Sequence, residues 1–219
     1  MTVEELRVYI YAIANKDQTG NLPTPAEFNS YLARANEDKF RIEYGLRENL
    51  QNNIAYQNSQ DSTDALAPFL TQAPLTTLVP GQFALPADYV HVSSIAYIDN
   101  ARRNMVMIVN EDEYNGLINN PIIPPTTKYP IAKFMGSSIF VQPGVTAIDM
   151  VYLRMPRTPV WGYTTVNDEP VYNPATSVQL EWKPIYHIDI ARLVMGYMSI
   201  EFRDQEFEQY AIKTQTTGQ

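Results

Sequence analysis

The residues able to do chemistry are few, and their spacing does not assemble a site. The chain has two histidines, His91 and His187, and no cysteine among its 219 residues. Without a thiol there is no disulfide framework, no thiolate nucleophile and no Cys-containing zinc centre. His187-Ile188-Asp189 has the composition of a base and its orienting acid. Residues two apart on a helix do not face each other, however, so His187 reads as a helix histidine satisfied within the fold. His91, between Val90 and Val92, reads as a surface position on a strand. Glu111-Asp112-Glu113 is the densest acidic cluster. Three adjacent carboxylates at a helix start point in different directions, and the helix dipole accounts for them without a metal ion. Asp168-Glu169, ahead of Pro170 in an expected loop, has no second acidic partner that would make a glycosidase-like pair. No serine stands in a nucleophile elbow. None of the nine glycines forms a G-x-G-x-x-G or G-x-x-x-x-G-K-[ST] phosphate loop. The expectation is therefore no enzyme, no cofactor and no metal.

What remains are residues suited to binding protein. Arg102-Arg103 falls at an expected hairpin tip, and Arg154 and Arg157 flank Met155-Pro156. Their neighbours are proline and aromatic residues rather than Lys and Gly, which favours salt bridges to protein over contacts to phosphate. With Trp161 and Tyr163 of the segment Val160–Tyr172, and Phe207 and Tyr210 near the C-terminal end, they form the candidate interface set.

The composition points the same way. Charged residues make up 18% of the chain, with 16 basic against 24 acidic and a net charge of −8, below the usual quarter or so. Uncharged polarity fills the gap: 16 Asn and 12 Gln stand beside 15 Tyr and 16 Pro. The acidity is spread along the chain and no Lys/Arg cluster occurs, which disfavours phosphate-tracking nucleic-acid binding. The longest aliphatic run, Met105–Val109, is far too short to cross a bilayer. Glu4, Glu5 and Arg7 give the N-terminus the wrong charge order for a secretory signal. The expectation is a soluble protein that stays in the cytoplasm where it is made.

The elements that must position these residues are helical at both ends and β in the middle. Thr2 and Glu5 stand in capping-box register ahead of Val3, Leu6, Ile10 and Ile13, which share one helical face. Thr24, Pro25 and Glu27 repeat the start signal. Phe28, Leu32, Ala35, Ile42, Leu46, Leu50 and Ile54 then recur at helical spacing, with drift around Lys39 and Phe40. Glu37 with Arg41 and Glu43 with Arg47 form i,i+4 pairs. The pattern predicts a helix over about 25–58, continuous or broken near Gly45. Pro184 opens a helix with Ile185, Ile188, Ala191, Met195 and Met198 on one face, and Asp204 caps a last one. Between about 60 and 180, strands are expected at 82–85, 89–98, 105–109, 131–134, 138–141 and 145–153, with a short helix at 111–119. The fold class is α+β: a helical bundle from the terminal helices with an inserted antiparallel β-sheet or barrel. Residues 1–60 and 178–219 are assigned to the helical core and 61–177 to the β-rich insertion.

Four stretches resemble head-to-tail connector proteins of tailed bacteriophages, most nearly those of crAss-like short-tailed phages. They are Asn21–Asn29 leading into Tyr31–Asn36 and Tyr44-Gly45; Leu85–Tyr89 ahead of a strand; Tyr152–Pro159 followed by Trp161; and Gly196–Ile200 with Arg203-Asp204. The resemblance implies a virion structural protein of the phage neck, a homo-oligomeric ring of twelvefold symmetry docked below the portal. Other ring or tail proteins would be partners, and genomic DNA would pass through the lumen without specific binding. It carries no catalytic residue over. A tail-tube or tail-terminator subunit is the neighbouring alternative, and a host-glycan module built on Val160–Tyr172 a third.

Overall fold

The computed structural model describes residues 1–14, 23–49, 63–77, 79–99 and 102–202. It is a mixed α+β structure divided into two compact units. One comprises Met1–Pro68 with Pro156–Gln219, the other Phe69–Met155. The segment 156–177, assigned to the insertion on sequence, therefore lies with the helices.

In the helical unit, α1 (Val3–Ala14) and α2 (Pro25–Asn49) start where their capping boxes place them. The Thr2 N–H donates to Glu5 at 2.9 Å and the Glu5 N–H to Thr2 Oγ1 at 3.2 Å. Thr24 and Glu27 repeat the exchange at 2.7 and 3.3 Å. Each box satisfies two backbone N–H groups that a helix start leaves without partners. Helix α2 runs unbroken through Gly45 to Asn49; its expected continuation to 58 lies outside the described residues.

Val3, Leu6 and Ile10 of α1 and Phe28, Leu32 and Ala35 of α2 are buried as their spacing requires. Beyond Ala35 the buried face of α2 departs from the hydrophobic stripe. It passes through Asn36, Lys39, Phe40 and Glu43, leaving Ile42 47% exposed. Glu43 pairs with Lys39, Nζ to Oε1 at 2.7 Å; the expected Glu43–Arg47 pair involves an Arg47 side chain outside the described residues. The Glu37–Arg41 pair is present at 3.6 Å. Pro184 opens a 3₁₀ turn, Pro184–Tyr186, ahead of the last described helix. That helix, α4 (His187–Phe202), packs on α1 and α2. It buries Ile190, Ala191, Val194, Met195 and Met198, while Ile185 and Ile188, expected on the core face, are exposed.

The β unit holds two four-stranded sheets. One has the order β1 (Leu70–Thr76), β8 (Ala147–Arg154), β3 (Tyr89–Asp99), β4 (Arg102–Met105), and is antiparallel throughout. The other has the order β2 (Gln82–Ala84), β7 (Ser138–Gln142), β6 (Ile131–Met135), β5 (Met107–Ile108). Here β5 runs parallel to β6, an exception to the expected antiparallel pairing. The expected strand 105–109 is split because the chain leaves the first sheet after Met105 and enters the second at Met107. Val106 is buried in the core between them. Neither sheet closes into a barrel among the described residues: β1 and β4 are edges of the first, β2 and β5 of the second.

The shared core is apolar, with Phe83, Ile95, Ile139, Val141, Ile148 and Met150 at its centre. Helix α3 (Glu111–Ile118) lies in the same unit and buries Tyr114 against Val109 and Ile131. The β6–β7 hairpin turns at Gly136, whose φ of 59° is the left-handed conformation that glycine adopts at no steric cost.

Candidate functional site

The candidate residues fall into three groups by what the fold does with them. The first group finds its partners within the chain, with Trp161 buried and the Arg157 side chain exposed. The Trp161 ring is 1% exposed. Its backbone N–H donates to Asn29 Oδ1 at 2.8 Å, and its carbonyl accepts from Asn29 Nδ2 at 3.1 Å. One amide side chain of α2 thus satisfies both main-chain groups of a buried residue, which would otherwise cost a kcal/mol or more each, roughly. The indole Nε1–H donates to the Glu4 carboxylate. The Arg7 guanidinium lies 4.0 Å from the indole centroid, and Tyr163 and Tyr172 stack on it at 5.4 and 6.2 Å. Trp161 is therefore an anchor of this chain rather than an exposed contact.

Arg157 is pinned through its backbone. Its N–H donates to Glu181 at 2.9 Å and its carbonyl accepts from Asn36 at 3.2 Å, while its guanidinium reaches Glu181 at 3.7 Å. Asn36 also accepts the indole N–H of Trp182 at 2.8 Å. Arg154 bonds its neighbour's carbonyl, Met155 O, at 3.2 Å and lies over the Phe69 ring at 5.9 Å.

The second group is exposed. Arg102 and Arg103 sit on β4, opposite Asp99 and Ile98 of β3. Both are exposed, and neither makes an ion pair among the described residues. Tyr163, 42% exposed, opens a strand that the sequence reading missed. β9 (Tyr163–Val166) and β10 (Glu169–Tyr172) form a separate two-stranded ribbon. Asn167 and Asp168, with φ of 52° and 63°, make the two-residue turn. Two positive φ angles in succession define the type I′ hairpin turn, and Asn and Asp are the residues other than Gly that most readily adopt it. The signal was present in Asn167-Asp168 between Thr164-Thr165-Val166 and Val171-Tyr172. The third group, Phe207 and Tyr210, lies outside the described residues.

The ionisable clusters also find internal partners. His187 is buried, with Nε2 2.9 Å from the Trp182 carbonyl. Asp189 points elsewhere, to Lys39 at 3.0 Å and Arg192 at 3.4 Å. Burial alone would lower the Lys39 pKa, but its bonds to Glu43 and Asp189 outweigh this and hold it above the usual lysine value. Glu111 accepts from Lys133 at 2.7 Å and from Asn115 at 3.1 Å, and these bonds hold its carboxyl below the ordinary range. Asn110 caps the same helix through the Glu113 N–H at 2.8 Å. His91 is exposed on β3.

Compared with protein-family models and with curated proteins, the sequence matches none.

Proposed function

We propose that the chain is a subunit of a head-to-tail connector ring in the neck of a tailed phage. In this reading it docks below the portal with its terminal helices as a bundle and forms part of the DNA channel. One observation carries the reading: large apolar side chains are exposed on separate elements of both units. Ile122 is 86% and Ile123 68% exposed in the loop after α3, and Ile185 is 75% exposed ahead of α4. The Ile122-Ile123 loop is held in place, because both backbone N–H groups donate to Asn120 Oδ1 at 2.8 and 3.2 Å. A ring subunit needs two dissimilar lateral surfaces, since only a head-to-tail contact generates a cycle, and further surfaces above and below. Several distinct apolar patches on one small chain suit that demand better than a single recognition site would.

The chemistry of the channel supports the same reading. A net charge of −8 without a basic cluster lets a phosphate backbone pass without sticking. Amides, Tyr and Met supply contact area and hydrogen bonds at subunit boundaries without burying charge. The residues that resemble phage connectors add the identity of the assembly. Nothing favours a glycan-holding role for Val160–Tyr172, because the Trp161 ring is enclosed by Arg7, Tyr163 and Tyr172.

The deciding experiment is a cryo-EM map of the virion neck. It should contain a ring of this chain directly below the portal. A neck whose rings are all accounted for by other chains overturns the reading. Mixing purified chain with portal should give closed rings that the chain alone does not form; a stable closed ring without portal sinks the ordered assembly.

A further inference from the structure

We propose that the β9–β10 ribbon of one copy adds to the open edge of β4 in a second copy, joining copies head to tail. The contact deepens the ring reading and rests on it for the neighbour being another copy.

Two of the chain's sheets each leave one edge open. In the four-stranded sheet β1-β8-β3-β4, edge strand β1 carries Pro74 at its middle, and proline has no N–H to give a further strand. The opposite edge, β4, has the sequence Arg-Arg-Asn-Met, with no proline and no strand beyond it among the described residues. The ribbon repeats the arrangement. Its strand β10 contains Pro170, whereas β9 is Tyr-Thr-Thr-Val, residues of high β propensity and no proline, so the N–H groups on the side turned away from β10 can still pair. A two-stranded ribbon is marginal in water by itself, and all four residues of β9 are exposed. Open strand edges are the usual template for adding a strand from another chain.

Charge selects the orientation. Asp168 and Glu169 lie at the ribbon's turn and Arg102 and Arg103 at the start of β4; none of the four has an ion pair among the described residues. β9 runs towards its turn and β4 runs away from its own. Antiparallel pairing therefore sets the acidic turn beside the two arginines and brings Tyr163 towards Met105, which is 58% exposed. Parallel pairing would place the acidic turn at Met105 and leave the arginines unmatched. One donor edge and one acceptor edge on each chain make the contact heterologous, the kind that repeats around an axis.

The test uses the whole chain in two variants, Arg102→Ser/Arg103→Ser and Asp168→Ser/Glu169→Ser, with sedimentation velocity over a range of concentration and salt. Wild type should associate into open oligomers that dissociate as salt rises. Each variant should associate at least about tenfold more weakly, the loss expected of a charge-paired contact. Mixed in equal amounts, the variants keep one intact contact between them and should stop at dimers. The contact is overturned if either variant associates as well as wild type, if the mixture grows past dimers, or if wild type stays monomeric throughout. In any of those cases the neck map still judges the ring reading separately, so the two failures cannot be confused. Matching circular dichroism and melting curves for both variants establish that any loss comes from the contact and not from unfolding.

Discussion

The two units bury different chemistry. Every buried polar or charged residue among the described ones, Asn36, Lys39, Glu43 and His187, belongs to the helical unit. The β unit is packed around Phe83, Ile95, Ile139, Val141, Ile148 and Met150. Apolar burial scales with area and is indifferent to pH. A buried ion pair is different: it is strongly destabilising to break on one side and close to neutral to replace whole. The helical unit is thus held in part by specific partners, the β unit by shape and volume. Both tryptophans, Trp161 and Trp182, lie in the helical unit, so tryptophan fluorescence follows that unit alone, while amide exchange in β8 follows the other.

The sharpest way to break the comparison is at Lys39. Lys39→Met removes the buried cation that Glu43 and Asp189 share, and the fluorescence-monitored transition should lose about 3–5 kcal/mol. Lys39→Met/Glu43→Leu should recover most of it. In the β unit, Met150→Ala should cost about 2–5 kcal/mol by the cavity it leaves, with no pH dependence in the loss.

A smaller effect is expected at Gly162, where a Cβ would lie 2.5 Å from the Thr176 carbonyl carbon and 2.7 Å from the Ser177 nitrogen. Backbone cannot swing aside as a side chain can. Gly162→Ala should therefore destabilise the helical unit by about 1–3 kcal/mol, seen as a shift in the fluorescence midpoint.

Alkaline titration sharpens the contrast further. Lys39 is held protonated by the fold against the opposing pull of burial. Its contribution is complete below the ordinary lysine value of about 10.4 and fades as pH rises past it. Tyr197, raised by burial and then by its bond to Asp38, adds a loss of the same sign. Lys39→Met/Glu43→Leu should flatten the alkaline fall in the fluorescence transition. In the β unit Tyr152 is raised by burial and by Asp88, so Tyr152→Phe should flatten alkaline opening of β8 and leave the fluorescence unchanged. The mildest change is Gly45→Ala, in α2 with open space where the Cβ would go. It should stabilise the helical unit by up to about 1 kcal/mol.

The parts of this fold that could be read from sequence are those whose cause is local. Both capping boxes, the turn at Gly136 and the short helix α3 are each set by residues a few positions apart. The course of α2 past Ala35 could not be read so, because hydrophobic patterning treats Lys39 and Glu43 as solvent-facing, and here their partners are each other and Asp189. Strand β1 was hidden for a related reason. Pro74 interrupts it, and none of its seven residues is fully buried, so no alternation of apolar and polar types marks it. The ribbon was hidden by its own turn, since Asp168-Glu169 reads first as a pair of carboxylates. Among the candidate site residues, Arg102 and Arg103 were expected at a hairpin tip, and they are instead paired on β4, where both are exposed. Trp161 could not be assigned correctly, because the residue that fixes it, Asn29, stands 132 positions earlier in the chain.

That separation bears on the order in which the protein is made. The helical unit needs both ends of the chain, so Asn29 must wait on the ribosome until Trp161 has been synthesised. The β unit is a continuous stretch, and its outer strands close on themselves: Leu70 pairs with Leu153 and Thr76 with Ala147. Once β1 and β8 have zipped together, everything between Phe69 and Met155 enters and leaves at adjacent points. The long loop that Asn29 and Trp161 must close is then short-circuited, with the entropy of closing it reduced accordingly. Once β1 and β8 are paired, the insertion thus works as a clasp on the chain, holding within reach of each other the two halves that flank it.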